Sequence, residues 1–411
     1  MSNEIRRLGI ISLHASPLAR LGEGPNGGLN VYVREICRAL SKLGVATDVF
    51  TRVPGAEPAS VHQLAELSRV IEIPLGSENL DRRQLSTLIP SFTAAVAAWE
   101  GSGDYDLLWS HYWLSALTAE PLHRQFGSPW AHTGHTWGVV KNQQLAPGAQ
   151  LEPELRLQAE RQIVEEADLL LLSTRAEKQI LSTSYGVDSA RAEVVMPGVD
   201  LSIFHPPPHE AQAARESGHR LFVTVGRLER LKGVDLAIRA VAALGDQGPS
   251  VRLLVVGGEG GERGEVERLH NLVAELGVSR QVEFSGPLEH TRLAECYARA
   301  TAYLMPSYTE SFGLAGLEAQ ACGIPVIASR ATGLAEVILD GVNGFLFESG
   351  DPVALARAMR RLLAEPELGQ AMGQSAALMA QGFSWLSVAE TLLGHFNDVV
   401  SARRPLRVGA L

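Results

Sequence analysis

The residues best suited to chemistry in this 411-residue chain lie in one stretch, Tyr308-Thr309-Glu310-Ser311-Phe312-Gly313-Leu314-Ala315-Gly316-Leu317-Glu318. Two carboxylates frame a turn of small residues. Ser311 and Gly313 leave the first amides of a following helix uncovered, which suits an anion such as a phosphate. If the whole stretch were helical, Glu310 and Glu318 would stand about 12 Å apart at ~1.5 Å per residue. A glycosidase acid/base pair stands ~5–9.5 Å apart, so the spacing points away from paired hydrolysis unless the loop bends. The two side chains suit separate hydroxyls of one elongated ligand. Two solvated glutamates near a helix start are the plain alternative, and this stretch alone leaves both open.

A second group carries positive charge. Gly226-Arg227-Leu228-Glu229-Arg230-Leu231-Lys232-Gly233 follows an apolar strand, Leu221–Val225. Ordinary surface charge would explain it in isolation. Beside the Tyr308–Glu318 turn it gains meaning, because a diphosphate needs cations as well as amides.

The elements that must position these groups are legible from pattern. Ala302–Pro306 reads as a buried strand closed by proline, and Leu314–Cys322 as a helix stopped at Gly323 before Pro325. The turn between them therefore sits at the carboxyl end of a strand, where open α/β sheets bind ligands. Near the other end of the chain, the strand Leu8–Leu13 is followed by a polar turn ending Gly24-Pro25-Asn26-Gly27-Gly28. Leu29, Val33, Ile36, Leu40 and Leu43 then recur at helical spacing. Gly27 and Gly28 let an anion approach that helix start closely. Gly22-x-Gly24-x-x-Gly27 also fits a dinucleotide pattern, but it lies too far past the strand to act as one.

Further strands are expected at Ala46–Phe50, Val70–Pro74, Leu107–Ser110, Trp130–His132, Leu169–Ser173 and Ala192–Val195, with helices between most of them. That alternation is a doubly wound parallel sheet. Two strand ends concentrate polar and aromatic residues: Ser110-His111-Tyr112-Trp113, and His132-Thr133-Gly134-His135-Thr136-Trp137 with Lys141-Asn142 after it. His132 and His135 lack a third ligand at useful spacing, and Asp104-x-Asp106 precedes a strand, so no metal is expected. Glu152–Glu166 reads as a charged helix, on which Arg156 would ordinarily make a surface ion pair.

At 411 residues two α/β domains are the natural expectation. A net charge of −10 argues against nucleic acid or an anionic membrane as the main partner. With no apolar segment of transmembrane length and no signal-type N-terminus, a cytoplasmic protein without stable membrane insertion is expected. Cys37, Cys296 and Cys322 fall in apolar helical patterns and read as reduced core residues.

Taken in order, these motifs resemble the retaining GT-B glycosyltransferases of family 4, over roughly residues 7–400. The turn matches their E-x7-E signature, with Ser-Phe-Gly inside and Glu-Ala-Gln-Ala-Cys-Gly after, and Arg227 and Lys232 match their Gly-Arg-x-x-x-x-Lys-Gly. Ser-His-Tyr-Trp-Leu-Ser and His-Thr-x-His-Thr are similar to the bacterial inositol-phosphate and sucrose-phosphate branch. The resemblance implies two Rossmann-like domains facing across a cleft, an acceptor domain at 1–200 and a nucleotide-sugar domain at 201–384 joined by a linker around 200–217. A C-terminal helix, 385–411, would return to the first domain, ending in a frayed tail from Arg403. It implies a nucleotide sugar, a UDP-sugar, as substrate, a small phosphorylated polyol or sugar as acceptor, and no cofactor or metal. His135, Arg227, Lys232 and Glu310 would be catalytic. The donor would meet Gly27, Gly28, Leu288, Ser311, Phe312, Gly313, Leu314 and Glu318 besides the cations and Glu310. The acceptor would meet Asn30, Arg82 on a loop, Tyr112, Thr136, Lys141 and Arg156. Inositol phosphate is favoured slightly over a hexose phosphate, a nucleotide-sugar epimerase on the same fold is the other reading, and homodimerisation stays open.

Overall fold

Short strands such as Leu169–Leu172 and Val326–Ser329 are apolar or small throughout and buried on both faces, as a sheet covered by helices on both sides requires. The computed structural model describes residues 5–19, 27–78, 80–207, 220–245, 251–260, 264–331 and 333–403. The first half runs β1 (Arg7–Ile11), α1 (Gly28–Lys42), β2 (Ala46–Val53), β3 (Ser60–Ala65), β4 (Ser68–Pro74), α2 (Arg82–Ser86), α3 (Ile89–Ala97), β5 (Leu107–His111), α4 (Trp113–Phe126), β6 (Trp130–Thr133), α5 (Gly138–Gln143), α6 (Glu154–Glu166), β7 (Leu169–Leu172), α7 (Arg175–Tyr185) and β8 (Ala192–Val194). The second runs β9 (Arg220–Val225), α8 (Val234–Ala243), β10 (Val251–Val256), α9 (Glu265–Glu275), β11 (Val282–Gly286), α10 (His290–Arg299), β12 (Ala302–Met305), α11 (Leu314–Ala321), β13 (Val326–Ser329), β14 (Gly344–Phe347), α12 (Pro352–Ala364), α13 (Pro366–Ala380) and α14 (Trp385–Arg403).

These strands form two sheets, ordered β3-β4-β2-β1-β5-β6-β7-β8 and β11-β10-β9-β12-β13-β14. All pairings are parallel except β3 with β4. The antiparallel edge strand β3 was not expected from sequence. Each sheet reverses its winding once, between β1 and β5 in the first and between β9 and β12 in the second. Ligand crevices open at such reversals, outside the carboxyl ends of the strands. Every turn singled out above leaves one of those ends: Gly27-Gly28 after β1, Tyr112 after β5, His135 after β6, Arg227 after β9 and Glu310 after β12.

Helix α14 lies against the first sheet, not the second. Trp385, Leu392, Leu393 and Phe396 pack with α1 and β5, where Phe396 meets Trp109 at 5.1 Å and Trp385 meets Tyr32 at 5.4 Å between ring centroids. The Val199 amide donates to the Phe383 carbonyl (2.8 Å), pinning the two chain crossings together. The linker region from 208, Gly22, Gly24 and the tail from 404 lie outside the described residues.

The two halves also touch near the Glu310 turn. The Glu336 carboxylate accepts the amides of Arg175 (3.0 Å) and Ala176 (2.8 Å), taking up free donors at the start of α7. Gly333 donates to the Glu310 carbonyl at 2.8 Å. A Cβ at Gly333 would fall 1.8 Å from the Ser311 carbonyl oxygen and 2.7 Å from Thr174 Cγ2. Only glycine fits, since neither a backbone carbonyl nor a β-branched neighbour yields cheaply. Gly333→Ala is therefore expected to displace the 310–313 turn. Any ligand held by that turn should bind at least about tenfold more weakly, because misplacing a positioned group by an ångström costs roughly 10²-fold. Both sheets should retain their far-ultraviolet dichroism; unchanged ligand affinity would refute the contact's role.

Candidate active site

The strongest anion site is built from backbone. Helices α1 and α11 start at Gly28 and Leu314 behind Gly27 and Gly313, glycines that offer no side-chain cap, and at α1 the Gly27 amide is taken up by Asn30. Gly313 holds φ = +93°, and a Cβ there would meet Met305 Sδ at 2.6 Å, so the turn requires glycine. The two helix starts approach each other: a Cβ on Gly28 would lie 3.3 Å from Leu314 Cδ1. Free amides and the positive ends of both dipoles thus converge at the cleft. Arg227 reaches the same place, its Nε 3.8 Å from where a Gly27 Cβ would stand. Its guanidinium is ion-paired with Glu229 at 2.6 Å, and Lys232 is paired with Glu310.

Glu318 is buried on α11, 8% exposed. Burial pushes its carboxyl up to about 8, against the pull of Arg34 on α1. Ser311 is half-buried, whereas the Phe312 side chain packs in the second core, leaving its backbone to face a ligand. Leu288, after β11, is half-buried against that core.

On the first domain, two non-glycine residues hold positive φ, His135 (+57°) and Tyr112 (+73°). Such backbone strain in non-glycine residues is tolerated where surrounding structure enforces it, and clusters at functional sites. His135 and His111 share a hydrogen bond (Nε2 to Nδ1, 2.8 Å), and Tyr32 lies edge-on to His135 at 5.0 Å. Burial lowers His135 to about 3 and His111 well below its ordinary value. Both rings are therefore neutral imidazoles near pH 7. His132 is buried and bonded to Ser110 Oγ (2.8 Å), a structural role.

The structure brings Tyr112, Thr136, Lys141 and Arg156 together, but not as an open patch. Arg156 is 1% exposed. Its Nε donates to Glu160 (2.7 Å), one terminal nitrogen donates to the Tyr112 hydroxyl (3.3 Å) and ion-pairs with Glu152 (3.0 Å), and the other donates to the Thr136 carbonyl (2.7 Å) and hydroxyl (3.0 Å). Burial disfavours its charge, but Tyr112, Glu160 and Glu152 outweigh this and hold its pKa above the ordinary value. The expected surface ion pair is instead a buried hub, because two glutamates one turn away on either side neutralise it. Glu160 is also 1% exposed and accepts the Gly138 amide with both oxygens. Removing Arg156 would thus strand a carboxylate in the interior as well as alter the site. Lys141 pairs with Glu152.

Other expectations need correction. Asn30 is buried, and its side chain braces the turn by accepting from the Gly27 amide and donating to the Ser16 carbonyl, both at 2.9 Å. It shapes the site and does not line it. Arg82 opens a short helix and not a loop, under a capping box of Asp81 and Gln84; its side chain lies outside the described residues. Asp106 accepts the amides of Arg6 and Arg7 at the far edge of the sheet. Among the described residues no group of three His, Cys, Asp or Glu side chains could hold a metal. Cys296 is half-buried, whereas Cys37 and Cys322 are buried. Sequence reading did not single out Glu152, Glu160 or Glu336. The first two stand four residues either side of Arg156, a visible signal; Glu336 has none.

A family model described as a glycosyl transferase 4-like domain matches residues 27–198, and one described as glycosyl transferases group 1 matches residues 207–379. A D-inositol 3-phosphate glycosyltransferase of Corynebacterium jeikeium is 42% identical over 408 residues, covering 96% of this chain and 97% of that protein. Among solved structures, sucrose-phosphate synthase from Thermosynechococcus elongatus superposes with a TM-score of 0.87 at 32% identity, covering 97% of this chain and all of that one. HepE of Anabaena, solved in complex with UDP-glucose, superposes at 0.75 with 19% identity, covering 95% and 99%, a likeness of fold. With identity at this level along nearly its whole length, the chain belongs to the family 4 glycosyltransferases of GT-B fold.

Proposed function

We propose that the enzyme transfers a sugar from a UDP-sugar to an inositol phosphate, with retention of anomeric configuration and without a metal. The observation that carries this is the meeting of two uncapped helix starts with Arg227 and Lys232, across a cleft from Lys141 and Arg156. The first set suits a diphosphate, the second an acceptor phosphate. The naming of relatives about 40% identical for D-inositol 3-phosphate supports the acceptor, and the HepE complex supports a UDP-linked donor on this fold. The absence of a membrane-length apolar helix among the described residues is compatible with a cytoplasmic enzyme.

In this reading the diphosphate lies at the starts of α1 and α11. The bond from the anomeric carbon to the phosphate oxygen breaks while the acceptor hydroxyl oxygen attacks the same face. The departing phosphate oxygen takes the hydroxyl proton. Charge grows on the diphosphate, where Arg227, Lys232 and fixed amides stabilise it with little reorganisation. Arg227 and Lys232 do this work in place of a divalent ion. Neutral His135 can hydrogen-bond a sugar hydroxyl without adding charge. Glu310 shares Lys232 until the donor sugar's hydroxyls reach it.

Incubation with UDP-sugars and phosphorylated or free polyols, with and without chelator, tests the whole proposal by product mass and anomeric coupling. Transfer to inositol phosphate in chelator is expected. A hexose-phosphate product would favour the chemistry named for the sucrose-phosphate synthase neighbour, and free UDP with an altered sugar would mean an epimerase. Lys232→Ala should lower kcat by roughly ten- to a thousandfold, the range for losing one transition-state donor. Its thermal melting should hardly move, because Lys232 and Glu310 are both partly solvated; equal kcat would remove Lys232 from the mechanism.

Glu318 supplies a pH test. Its raised value, about 8, means the free protein holds it largely protonated at pH 7. In this reading Glu318 meets the ribose of the UDP-sugar, and ribose hydroxyls donating to the carboxylate favour its charged form. UDP binding at pH 7 should therefore release a fraction of a proton, and affinity should rise with pH up to about 8, then level off. Calorimetry in buffers of different ionisation enthalpy reads this directly, and Glu318→Gln should abolish the release. Uptake of a proton in the wild type would contradict the ribose contact.

A further inference from the structure

Building on the reading of Lys141 and Arg156 as the acceptor's phosphate site, we propose that Glu152 is an internal stand-in for that phosphate, occupying the two cations until an incoming phosphate displaces it. The Arg156 donors are all engaged, so an acceptor phosphate can reach the guanidinium only by exchange. The partners are not equally replaceable. Glu160 is 1% exposed, on a helix, and tied by the Gly138 amide and the Tyr185 hydroxyl (3.2 Å). Thr136 contributes its own backbone carbonyl. Glu152 lies just before α6 in irregular chain, its side chain 12% exposed, and its carboxylate bridges Lys141 and Arg156. Tyr112 is packed in the core, so Glu152 is the partner that can leave for water.

The chain around it is held by polar contacts and not by apolar burial. Leu151 is 67% exposed and Leu145 39%, and the one buried apolar side chain of the segment is the small Ala146, so swinging it away uncovers little core. What holds it are the two ion pairs and the Glu152 amide donating to Asn142 Oδ1 (2.8 Å). A cavity of about 390 Å³ adjoins the carboxylate, lined by Lys141, Gly148 and Glu152 from the first domain and by Arg230, Leu231 and Thr309 from the second. That volume is within the range of small-ligand sites. Thr309 directly precedes Glu310, so a molecule entering there reaches the donor side.

The consequence is selectivity. A phosphate brings up to two charges and three acceptor oxygens to cations that Glu152 holds with one charge. An unphosphorylated polyol offers no charge and leaves Glu152 where it is. Discrimination then comes from a built-in competitor as well as from attraction. Burial of the unoccupied cations is avoided in the free enzyme, which matters most for Arg156.

Inorganic phosphate is the probe. Titrated calorimetrically, it should bind Glu152→Gln and Glu152→Ala about three- to tenfold more tightly than wild type, the size expected for losing competition from a partly exposed ion pair. In the wild type, phosphate should also accelerate amide exchange across residues 144–153 as the strap is released, a readout that needs no variant. Unchanged or weaker phosphate binding in both variants, or slower exchange on phosphate addition, would overturn the exchange and make Glu152 a fixed support. The two readings separate cleanly. An enzyme that requires a phosphorylated acceptor but whose variants bind phosphate no tighter keeps its acceptor and loses the stand-in. Tighter variants in an enzyme indifferent to acceptor phosphorylation would do the reverse.

Discussion

Two helix starts that belong to different domains, Gly28 of α1 and Leu314 of α11, stand almost in contact behind glycines that supply no side-chain cap. Much of the remaining architecture follows from keeping them there. Positive dipole ends repel one another and leave hydrogen-bond donors unsatisfied, so their approach is unfavourable without an anion between them. The fold offsets this with contacts placed elsewhere: α14 returning onto the first sheet, and Glu336 capping α7 beside the Glu310 turn. Each sheet contributes its winding reversal to the same crevice.

The charges in the cleft are arranged by one rule. Arg227 holds Glu229, Lys232 holds Glu310, Lys141 holds Glu152, and Arg156 holds both Glu152 and Glu160. A chain with a net charge of −10 thus gathers cations in this cleft, each already paired with a carboxylate. Unpaired cations in a partly desolvated cleft would be costly, whereas exchanging a carboxylate for a phosphate conserves charge contacts on both sides. Glu160 differs from the others because nothing can replace it. Its Gly138 amide contacts make it part of the interior.

What the sequence made legible was chemistry compressed into single strand-turn-helix units. The 308–318 turn announces itself because small residues, an apolar strand and a helix start fall within about a dozen positions, and the Gly27-Gly28 turn because a glycine pair opens an amphipathic helix. Arg156 was legible in kind but not in state. Its burial depends on Tyr112 and Thr136, which are brought to it from the ends of β5 and β6. Asn30 misled for a related reason: a polar residue at a helix start reads equally as ligand contact or turn brace, and only the distances to Gly27 and Ser16 decide. The strand β3 escaped notice because Ser60, His62 and Gln63 dilute its alternation, and an exposed edge needs no apolar face. The packing of Gly333 against Ser311 and Thr174 joins residues far apart in the chain, for which no local pattern exists.

The histidine pair shows how the first domain serves the second. His135 stands at the end of β6 in a strained conformation, and its place is fixed from behind by His111 and from the side by Tyr32. Tyr32 in turn lies edge-on to Trp385, the first residue of α14. The helix that crosses back from the second domain therefore supports the aromatic ring that supports the imidazole. Because burial removes charge from both histidines, this support is one of shape and hydrogen bonding and is insensitive to pH over the neutral range. Held neutral, the ring adds no charge to the cleft, whose positive ends are the two helix starts and the cations Arg227 and Lys232.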